Sequence, residues 1–127
     1  MQENNLFEYA LVRVVPKVER EEFLNVGVIL YCQQLKYLGA KIHLDKDRLQ
    51  ALCKDVDIEE VELHLNSFER ICYGSPDSGP IGKLGIPSRF RWLSAYRSTI
   101  IQTSRVHPGL CNDPQEKLEK LFKELVL

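Results

Sequence analysis

The chain has 127 residues, with 17 basic and 18 acidic side chains that leave a formal net charge of −1. A chain of this length forms one domain with a single core, and the near-neutral charge argues against a protein that coats nucleic acid with its whole surface. No apolar run approaches the roughly 20 residues of a membrane-spanning helix, which excludes an integral membrane protein. The polar residues 1–5 lack the features of a signal peptide, so we expect a cytoplasmic protein.

Three strands are predicted in the first third of the chain. The first covers residues 7–15 and has apolar side chains on both faces, as strands covered on both sides do. The second covers residues 23–32. Its alternation predicts one shared face for Leu24, Val26, Val28, Leu30 and Cys32. Gly27 inside this strand indicates a β-bulge or the close approach of another segment. The third covers residues 37–44, and the short connections favour an antiparallel meander.

Helices are predicted after the three strands. Asp45 is a suitable N-cap for a short helix, and Asp57 for a longer one that ends at Gly74. Residues 74–85 contain four Gly and two Pro, which is typical of a loop. Pro87 can begin a further short helix.

A fourth strand is predicted over residues 97–104, and Asp113 begins the last helix. The order β-β-β-α-α-β-α predicts an α+β fold: a single domain over residues 1–127, with an antiparallel sheet of about four strands packed with helices on one or both faces.

The charges are distributed unevenly along the chain. Residues 78–112 contain no Asp or Glu but five basic residues, so this segment carries +5 while the 12 basic and 18 acidic residues elsewhere give −6. Arginine forks bind phosphate or carboxylate, and aromatic faces stack on bases, so the segment predicts a basic, aromatic surface for an anionic group. The alternative is that its arginines pair with the acidic residues 59–62 inside the fold.

Polar residues of the strands extend the candidate site. Arg20, Glu22 and Asn25 alternate toward Gly27, where they either line a polar strip or blunt an edge strand with charge. The candidate ligand- or partner-binding residues are Arg13, Asn25, Lys83, Arg89, Arg91, Trp92, Arg97, Ser98, Thr99, Gln102, Arg105 and His107.

Metal and enzyme chemistry have less support in the sequence. The four cysteines contain no Cys-x-x-Cys pair, so we expect reduced thiols, with Cys32 and Cys72 buried, and no metal or cofactor. His107 and Cys111 have the spacing of half a metal site, but a second pair is missing. An enzyme would place Arg13, Arg97 and Gln102 around a polar pocket with His107 as base, whereas His107 is otherwise a loop residue. No nucleophile-elbow motif is present, and catalytic residues stay unassigned.

Several strings of residues resemble one family over nearly the whole chain. They are YALVR at 9–13, REEFLNVGV at 20–28, GPIG at 79–82, RFRWL at 89–93, RSTIIQ at 97–102 and HPGLC at 107–111. These strings are similar to the bacterial family of unknown function DUF3037. The family pattern often has Pro where this chain has Tyr96.

The resemblance implies a small bacterial protein of the kind encoded beside a kinase similar to the HipA toxins, and therefore a toxin–antitoxin context. We accordingly expect a binding or regulatory module whose basic surface at 78–112 engages an anionic ligand or an acidic protein partner, such as a HipA-like kinase. The alternative is an enzyme or nucleic-acid-binding protein that acts on a phosphorylated substrate; nucleic acid is the less favoured partner, and no membrane is expected.

Overall fold

The computed structural model describes residues 5–95, 97 and 99–127, and these form an antiparallel five-stranded sheet with helices on both faces. The fold is α+β, as predicted. The elements in chain order are β1 Asn5–Val14, β2 Leu24–Cys32, β3 Tyr37–Ile42, α1 Lys46–Leu52, α2 Ile58–Tyr73, α3 Gly79–Gly82, α4 Ile86–Ser94, β4 Ile101–Thr103, β5 His107–Cys111 and α5 Pro114–Leu125. A short 3-10 turn, Val18–Arg20, connects β1 and β2.

β1 lies in the middle of the sheet. The order is β3-β2-β1-β4, and β5 pairs with the other half of β1 on the same side as β4. Ser104 fills the gap between these two short strands: its N–H donates to the Leu11 carbonyl at 2.9 Å, and its Oγ accepts from the Leu11 N–H at 2.8 Å. A serine side chain thus takes the place of a backbone acceptor where the outer strand is interrupted.

A bulge at Gly27 divides β2 into two halves that face opposite ways. Val12 pairs with Gly27, but Arg13 pairs with Asn25, so one residue of β2 is skipped. A Cβ on Gly27 would lie 2.7 Å from the Lys41 carbonyl oxygen, which confirms both the bulge and the close approach. The prediction of one shared face was wrong for the same reason, because the bulge reverses the alternation.

Helices cover both faces of the sheet, and each face has its own core. On the first face, strand residues pack against α1, α2 and α4. The largest fully buried residues of this core include Val12, Val14, Val26, Ile29, Leu49, Val61 and Leu93. On the second face, strand residues pack against α5. This smaller core contains Phe7, Val28, Leu30, Cys32, Cys111, Leu118, Phe122 and Val126. Leu24 and Val26 therefore contribute to the first core, and the rest of β2's predicted face contributes to the second.

Three helices begin at the predicted aspartates. The carboxylates of Asp45, Asp57 and Asp113 accept hydrogen bonds from N–H groups of the first turns of α1, α2 and α5. Gly74 ends α2 in the left-handed region, with φ of 64°. These caps satisfy backbone groups that helix ends otherwise leave without partners.

Two segments differ from the sequence prediction. The strand expected over residues 97–104 is limited to β4, because Thr99 and Ile100 form a bend in which the Thr99 Oγ1 donates to the Ile101 carbonyl at 2.8 Å. His107 lies in a strand rather than a loop. Gly109 is accommodated there because it pairs with Phe7, whose ring occupies the space that a side chain at position 109 would need.

The outer strands carry groups that discourage further pairing. On β3, the Tyr73 hydroxyl donates to the Ala40 carbonyl at 2.7 Å and accepts from the Ala40 N–H at 3.0 Å. On β5, Pro108 has no N–H to offer. Within the part of the chain that the structure describes, no helix combines the length and apolar character needed to cross a bilayer.

Candidate functional site

Three polar residues lie side by side across the sheet. Arg13 of β1 pairs with Asn25 of β2 on one side and with Gln102 of β4 on the other. Residues directly opposite one another in antiparallel strands share a face, with Cβ atoms about 4.5–5.5 Å apart. Alternation along β1 puts this polar row (Asn25, Arg13 and Gln102) on the second face, together with Tyr9 and Leu11.

The bulge at Gly27 creates this arrangement. Without it, the alternation set by Val28 and Leu30 would continue, and Asn25 would point toward the first core. The skipped residue reverses the N-terminal half of β2, so that Asn25 and Phe23 share the second face with Arg13. The predicted polar strip therefore forms only in part: Asn25 belongs to it, whereas Arg20 and Glu22 form an exposed ion pair with each other.

Two buried atoms of the polar row lack hydrogen-bond partners. These are Nε of Arg13 and Oδ1 of Asn25, and neither bonds to any described residue. A buried polar atom left without a partner costs about 1–3 kcal/mol, so such atoms are uncommon and call for an explanation. Burial lowers the pKa of Arg13, yet a guanidinium remains charged at any physiological pH. The row therefore contains a cation with no counterion among the described side chains.

Phe23 fixes the orientation of this cation. The guanidinium carbon of Arg13 lies 3.8 Å from the centre of the Phe23 ring, and the ring remains 45% exposed. A cation over an aromatic face is attracted by the ring quadrupole. Stacking therefore holds one flat side of the guanidinium against the ring.

A cavity of about 210 Å³ opens at this end of the sheet, and we call it the sheet-end pocket. It is lined by Arg13, Val15, Val18, Glu21, Phe23 and Gln102. Glu21 ends the 3-10 turn in the left-handed region, with φ of 57°. The Gln102 Nε2 donates to the Thr99 carbonyl at 2.9 Å, which leaves the amide oxygen of Gln102 as an acceptor.

Two arginines of the basic segment bind the backbone instead of facing solvent freely. Arg89 donates from Nη1 to the Leu84 carbonyl at 2.6 Å and from Nε to the Cys72 carbonyl at 3.4 Å, which ties α4 to the end of α2. Arg97 stacks on Trp92 at 4.1 Å and donates to its carbonyl oxygen. Burial also lowers the pKa of Arg97.

The remaining basic residues of the segment, Lys83, Arg91 and Arg105, are exposed. None of the five basic side chains of residues 78–112 forms an ion pair with a described residue, and Glu62 of α2 pairs with Lys46 at 3.0 Å instead. The alternative that these arginines neutralise the acidic residues of α2 is therefore wrong for the described residues. Thr99 is exposed, and Ser98 lies outside the described residues.

The residues proposed for an enzyme do not line one pocket. Arg13 and Gln102 are neighbours, but His107 pairs with Tyr9, four residues along β1 and so about 13 Å away. The His107 ring stacks on the Tyr9 ring with centroids 5.3 Å apart. Arg97 lies on the first face against α4. The four side chains that the proposed enzyme chemistry requires around one pocket are therefore not together.

The half metal site suggested by His107 and Cys111 is also separated. Four residues of extended strand span about 13 Å, so these two side chains cannot bind one ion. Within the described ranges, no three His, Cys, Asp or Glu residues lie close enough to hold a metal. Cys32, Cys72 and Cys111 are buried, and burial raises the pKa of the Cys72 thiol to about 12.

Comparison with known protein families identifies the chain. The family model described as "Protein of unknown function (DUF3037)" matches residues 9–126. The chain belongs to DUF3037. No curated protein and no solved structure matches it. The match includes the whole polar row and every residue that lines the sheet-end pocket.

Two residues that line the sheet-end pocket were not predicted from the sequence. Phe23 looked like the first residue of a strand, and Glu21 looked like part of a charged turn. The available signal was Gly27, which indicated a bulge but not which half of the strand it would reverse. The N-terminal half of β2 has two possible facings, with or without a reversal at Gly27, and one of them puts Phe23 on the same face as Arg13.

Proposed function

We propose that this DUF3037 protein is a binding or regulatory module that receives an anionic group in the sheet-end pocket. One observation supports this most strongly: Arg13 lines the cavity with a charged guanidinium that has no ion-pair partner among the described side chains. An anion that accepts hydrogen bonds from this guanidinium would supply the missing counterion. Phe23 stacks on the guanidinium and keeps it in place before the ligand arrives.

The anionic group belongs, in this proposal, to a protein partner. The family resemblance supports a HipA-like kinase as that partner. The exposed residues Lys83, Arg91 and Arg105 supply positive charge without described counterions, which favours the approach of an acidic surface. Exposed charges of this kind affect the association rate more than the affinity.

The alternative, an enzyme or nucleic-acid-binding protein acting on a phosphorylated substrate, has weaker support. The enzyme required Arg97 and His107 beside Arg13, and these three side chains lie apart. Nucleic-acid binding would also show a steep loss of affinity with salt, of roughly 0.9 log unit per log unit of salt for each phosphate contact.

The test measures binding of the purified protein to a HipA-like kinase from the same genome by isothermal titration calorimetry. Arg13→Gln should weaken binding by about tenfold or more, which corresponds to about 1.4 kcal/mol. Arg48→Gln is the matched control, because Arg48 is an exposed arginine of α1 outside both the pocket and the basic segment, and it should change the affinity by less than about threefold. Equal affinities for Arg13→Gln and the wild type would exclude the pocket. Failure of the wild type to bind would exclude this kinase as the partner.

A further inference from the structure

A second cavity, of about 480 Å³, lies on the first face of the sheet, and we call it the α2–α4 cavity. One side of α2 forms a wall over residues 60–71, and Trp92 of α4 forms the other together with residues 97 and 99–101. Its volume is more than twice that of the sheet-end pocket. It lies within the roughly 300–1,000 Å³ typical of sites that hold whole small molecules, so the cavity has room for a ligand of its own.

The lining of the α2–α4 cavity is mostly apolar. Its walls carry aromatic rings and branched aliphatic chains, from Phe68, Ile71, Trp92, Ile100 and Ile101. Trp92 remains 37% exposed, so its indole is available for contact. A ligand that replaces water against such walls is stabilised roughly in proportion to the apolar area it covers. The lining therefore favours a ligand with an apolar ring or chain.

Arg97 supplies this cavity with one cation in a fixed orientation. Its guanidinium carbon lies 4.1 Å from the centre of the Trp92 ring, and its Nη2 donates to the Trp92 carbonyl oxygen. Arg97 forms no ion pair and no other hydrogen bond with a described residue.

The two remaining nitrogens of Arg97, Nε and Nη1, are accessible. Among the described residues, the buried side-chain nitrogen and oxygen atoms that lack a partner belong to Arg13, Asn25 and Thr103, and not to Arg97. Because Arg97 itself lines the cavity, an acceptor group of a ligand inside it can bond to these nitrogens. A carboxylate is a suitable acceptor, since its two oxygens match two neighbouring N–H groups of a guanidinium.

Glu60 limits the charge that the ligand can carry. It lines the same cavity, and its Oε1 lies 3.5 Å from Nε2 of His64. Glu60 is eight residues from Phe68, or about 12 Å along the axis of α2, whereas Phe68 and Arg97 border the same small adjoining cavity of about 10 Å³. Glu60 therefore does not neutralise Arg97, but it repels a ligand more strongly as the negative charge of the ligand increases. The apolar walls also make a dianion more costly to desolvate, so one negative charge is matched best.

We propose that the α2–α4 cavity binds a small organic acid, with its single carboxylate on Arg97 and its apolar body between α2 and Trp92. This site goes beyond the proposed function, because it lies on the opposite face of the sheet from the polar row and uses none of the residues that line the sheet-end pocket.

The test is an NMR titration of the ¹⁵N-labelled protein at constant pH and ionic strength. The indole Nε1–H of Trp92 is the reporter, and its signal is identified at once because the chain contains one tryptophan. The main probe is 3-phenylpropanoate, which has one carboxylate and an apolar ring. Its uncharged analogue 3-phenylpropanamide tests the charge, acetate tests the ring, and phenyl phosphate presents a dianion above neutral pH.

We expect 3-phenylpropanoate to bind with a dissociation constant of about 1 mM, as is usual for a ligand of its size. The amide and acetate should each bind about tenfold more weakly, because the amide lacks the charge-assisted hydrogen bonds to Arg97 and acetate lacks the apolar contacts. Phenyl phosphate should also bind more weakly than 3-phenylpropanoate.

Two pairs of variants test the two parts of the site. Arg97→Gln should weaken binding of 3-phenylpropanoate to the level of the amide and leave the amide unchanged, whereas a general distortion would weaken both. Arg48→Gln, an exposed arginine of α1 outside the cavity, is its control. Ser67→Phe adds a ring to the lining and should weaken both ligands by about tenfold. Asn66→Phe adds the same ring at an exposed neighbouring position outside the lining and should change neither affinity.

Several results would overturn the proposal. Equal affinities for 3-phenylpropanoate and its amide would refute the contact with Arg97, and equal affinities for 3-phenylpropanoate and acetate would refute the apolar site. Phenyl phosphate that bound as tightly as 3-phenylpropanoate would refute the preference for one charge. If no probe shifted the Trp92 signal at about 20 mM, well above the expected dissociation constant, the site would be excluded, and the sheet-end pocket would be unaffected.

Discussion

The two faces of the sheet are covered to different extents. On the first face, α1, α2 and α4 pack over β1 residues that are completely buried, among them Ala10, Val12 and Val14. On the second face, α5 packs mainly against β2 and β3, and the β1 side chains change from the buried Phe7 to the partly exposed Arg13. Successive residues of one strand therefore have two environments: one set is buried in the first core, and the alternate set leads to the sheet-end pocket at the surface.

The largest difference in stability between the two faces is expected for two substitutions, one on each face. Ile29→Ala removes a fully buried side chain of the first core and should lower the free energy of unfolding by about 2–5 kcal/mol. Arg13→Gln removes a desolvated cation without a described ion-pair partner, and it should change stability by less than about 1 kcal/mol. Urea denaturation measures both. Equal losses would show that the polar row is part of the stabilising core.

The next largest effect concerns the bulge that connects the two faces. Gly27→Ala forces a Cβ to within 2.7 Å of a backbone oxygen, so it should cost about 1–3 kcal/mol and weaken binding in the sheet-end pocket by shifting Phe23, which lines it. Gly85→Ala is the control, since its Cβ would meet nothing closer than Pro87 Cδ at 3.9 Å. It replaces the N-cap of α4 and should cost up to about 1 kcal/mol, but it should leave binding in the sheet-end pocket unchanged. A tolerated Gly27→Ala would contradict the role given to the bulge.

Local signals in the sequence predicted much of the fold. Asp57 and Gly74 mark the ends of α2 through their own hydrogen bonds and dihedral angles, and these depend on residues close in the chain. Which side chains of β2 point to each core could not be predicted in this way, because a bulge is defined only by the register with β1. β5 was missed since Pro108 and Gly109 indicate a loop locally, whereas pairing with β1 imposes a strand.

The candidate site was only partly predictable for the same reason. Arg13, Asn25 and Gln102 were named from the sequence, but their adjacency depends on two strand pairings between distant segments. The uneven charge of residues 78–112 predicted a binding role for Arg89 and Arg97, but both donate hydrogen bonds to backbone carbonyls of the protein itself. Composition reports which charges a segment contains, and not which of them the fold uses internally.

Smaller effects are expected at the helix caps, one for each face. Asp57→Ala should destabilise the protein by about 1 kcal/mol through α2, and Asp113→Ala by a similar amount through α5. Thermal unfolding followed by circular dichroism measures both. Because α5 borders the second face, only Asp113→Ala should also alter the NMR signals of nearby residues such as Tyr37, whose hydroxyl donates to Gln115 at 2.6 Å. If Asp57→Ala and Asp113→Ala changed these NMR signals equally, the two helical layers would not be independent.

An effect of pH on stability is expected in alkali. Burial raises the pKa of Cys72 from 9.0 to about 12 on the first face, and that of Tyr37 from 10.0 to about 12 on the second. Between pH 9 and 12 the unfolded chain loses these protons while the folded chain keeps them, so stability falls as pH rises. The fall is up to about 1.4 kcal/mol per pH unit for Cys72 and smaller for Tyr37, whose hydroxyl is partly screened by solvent. Denaturation curves at several alkaline pH values, in reducing agent, measure the slope. Cys72→Ala and Tyr37→Phe should each make the slope shallower, and an unchanged slope in both would refute the assignment.

The Tyr73 hydroxyl has a consequence for solubility. By bonding to both backbone groups of Ala40, it occupies main-chain positions at the edge of β3 that another polypeptide would otherwise use to extend the sheet. Pro108 removes an amide hydrogen from the opposite edge. Strand-by-strand aggregation thus meets an obstacle at each margin of the sheet, and Tyr73, an exposed aromatic residue with no part in either core, supplies one of the two.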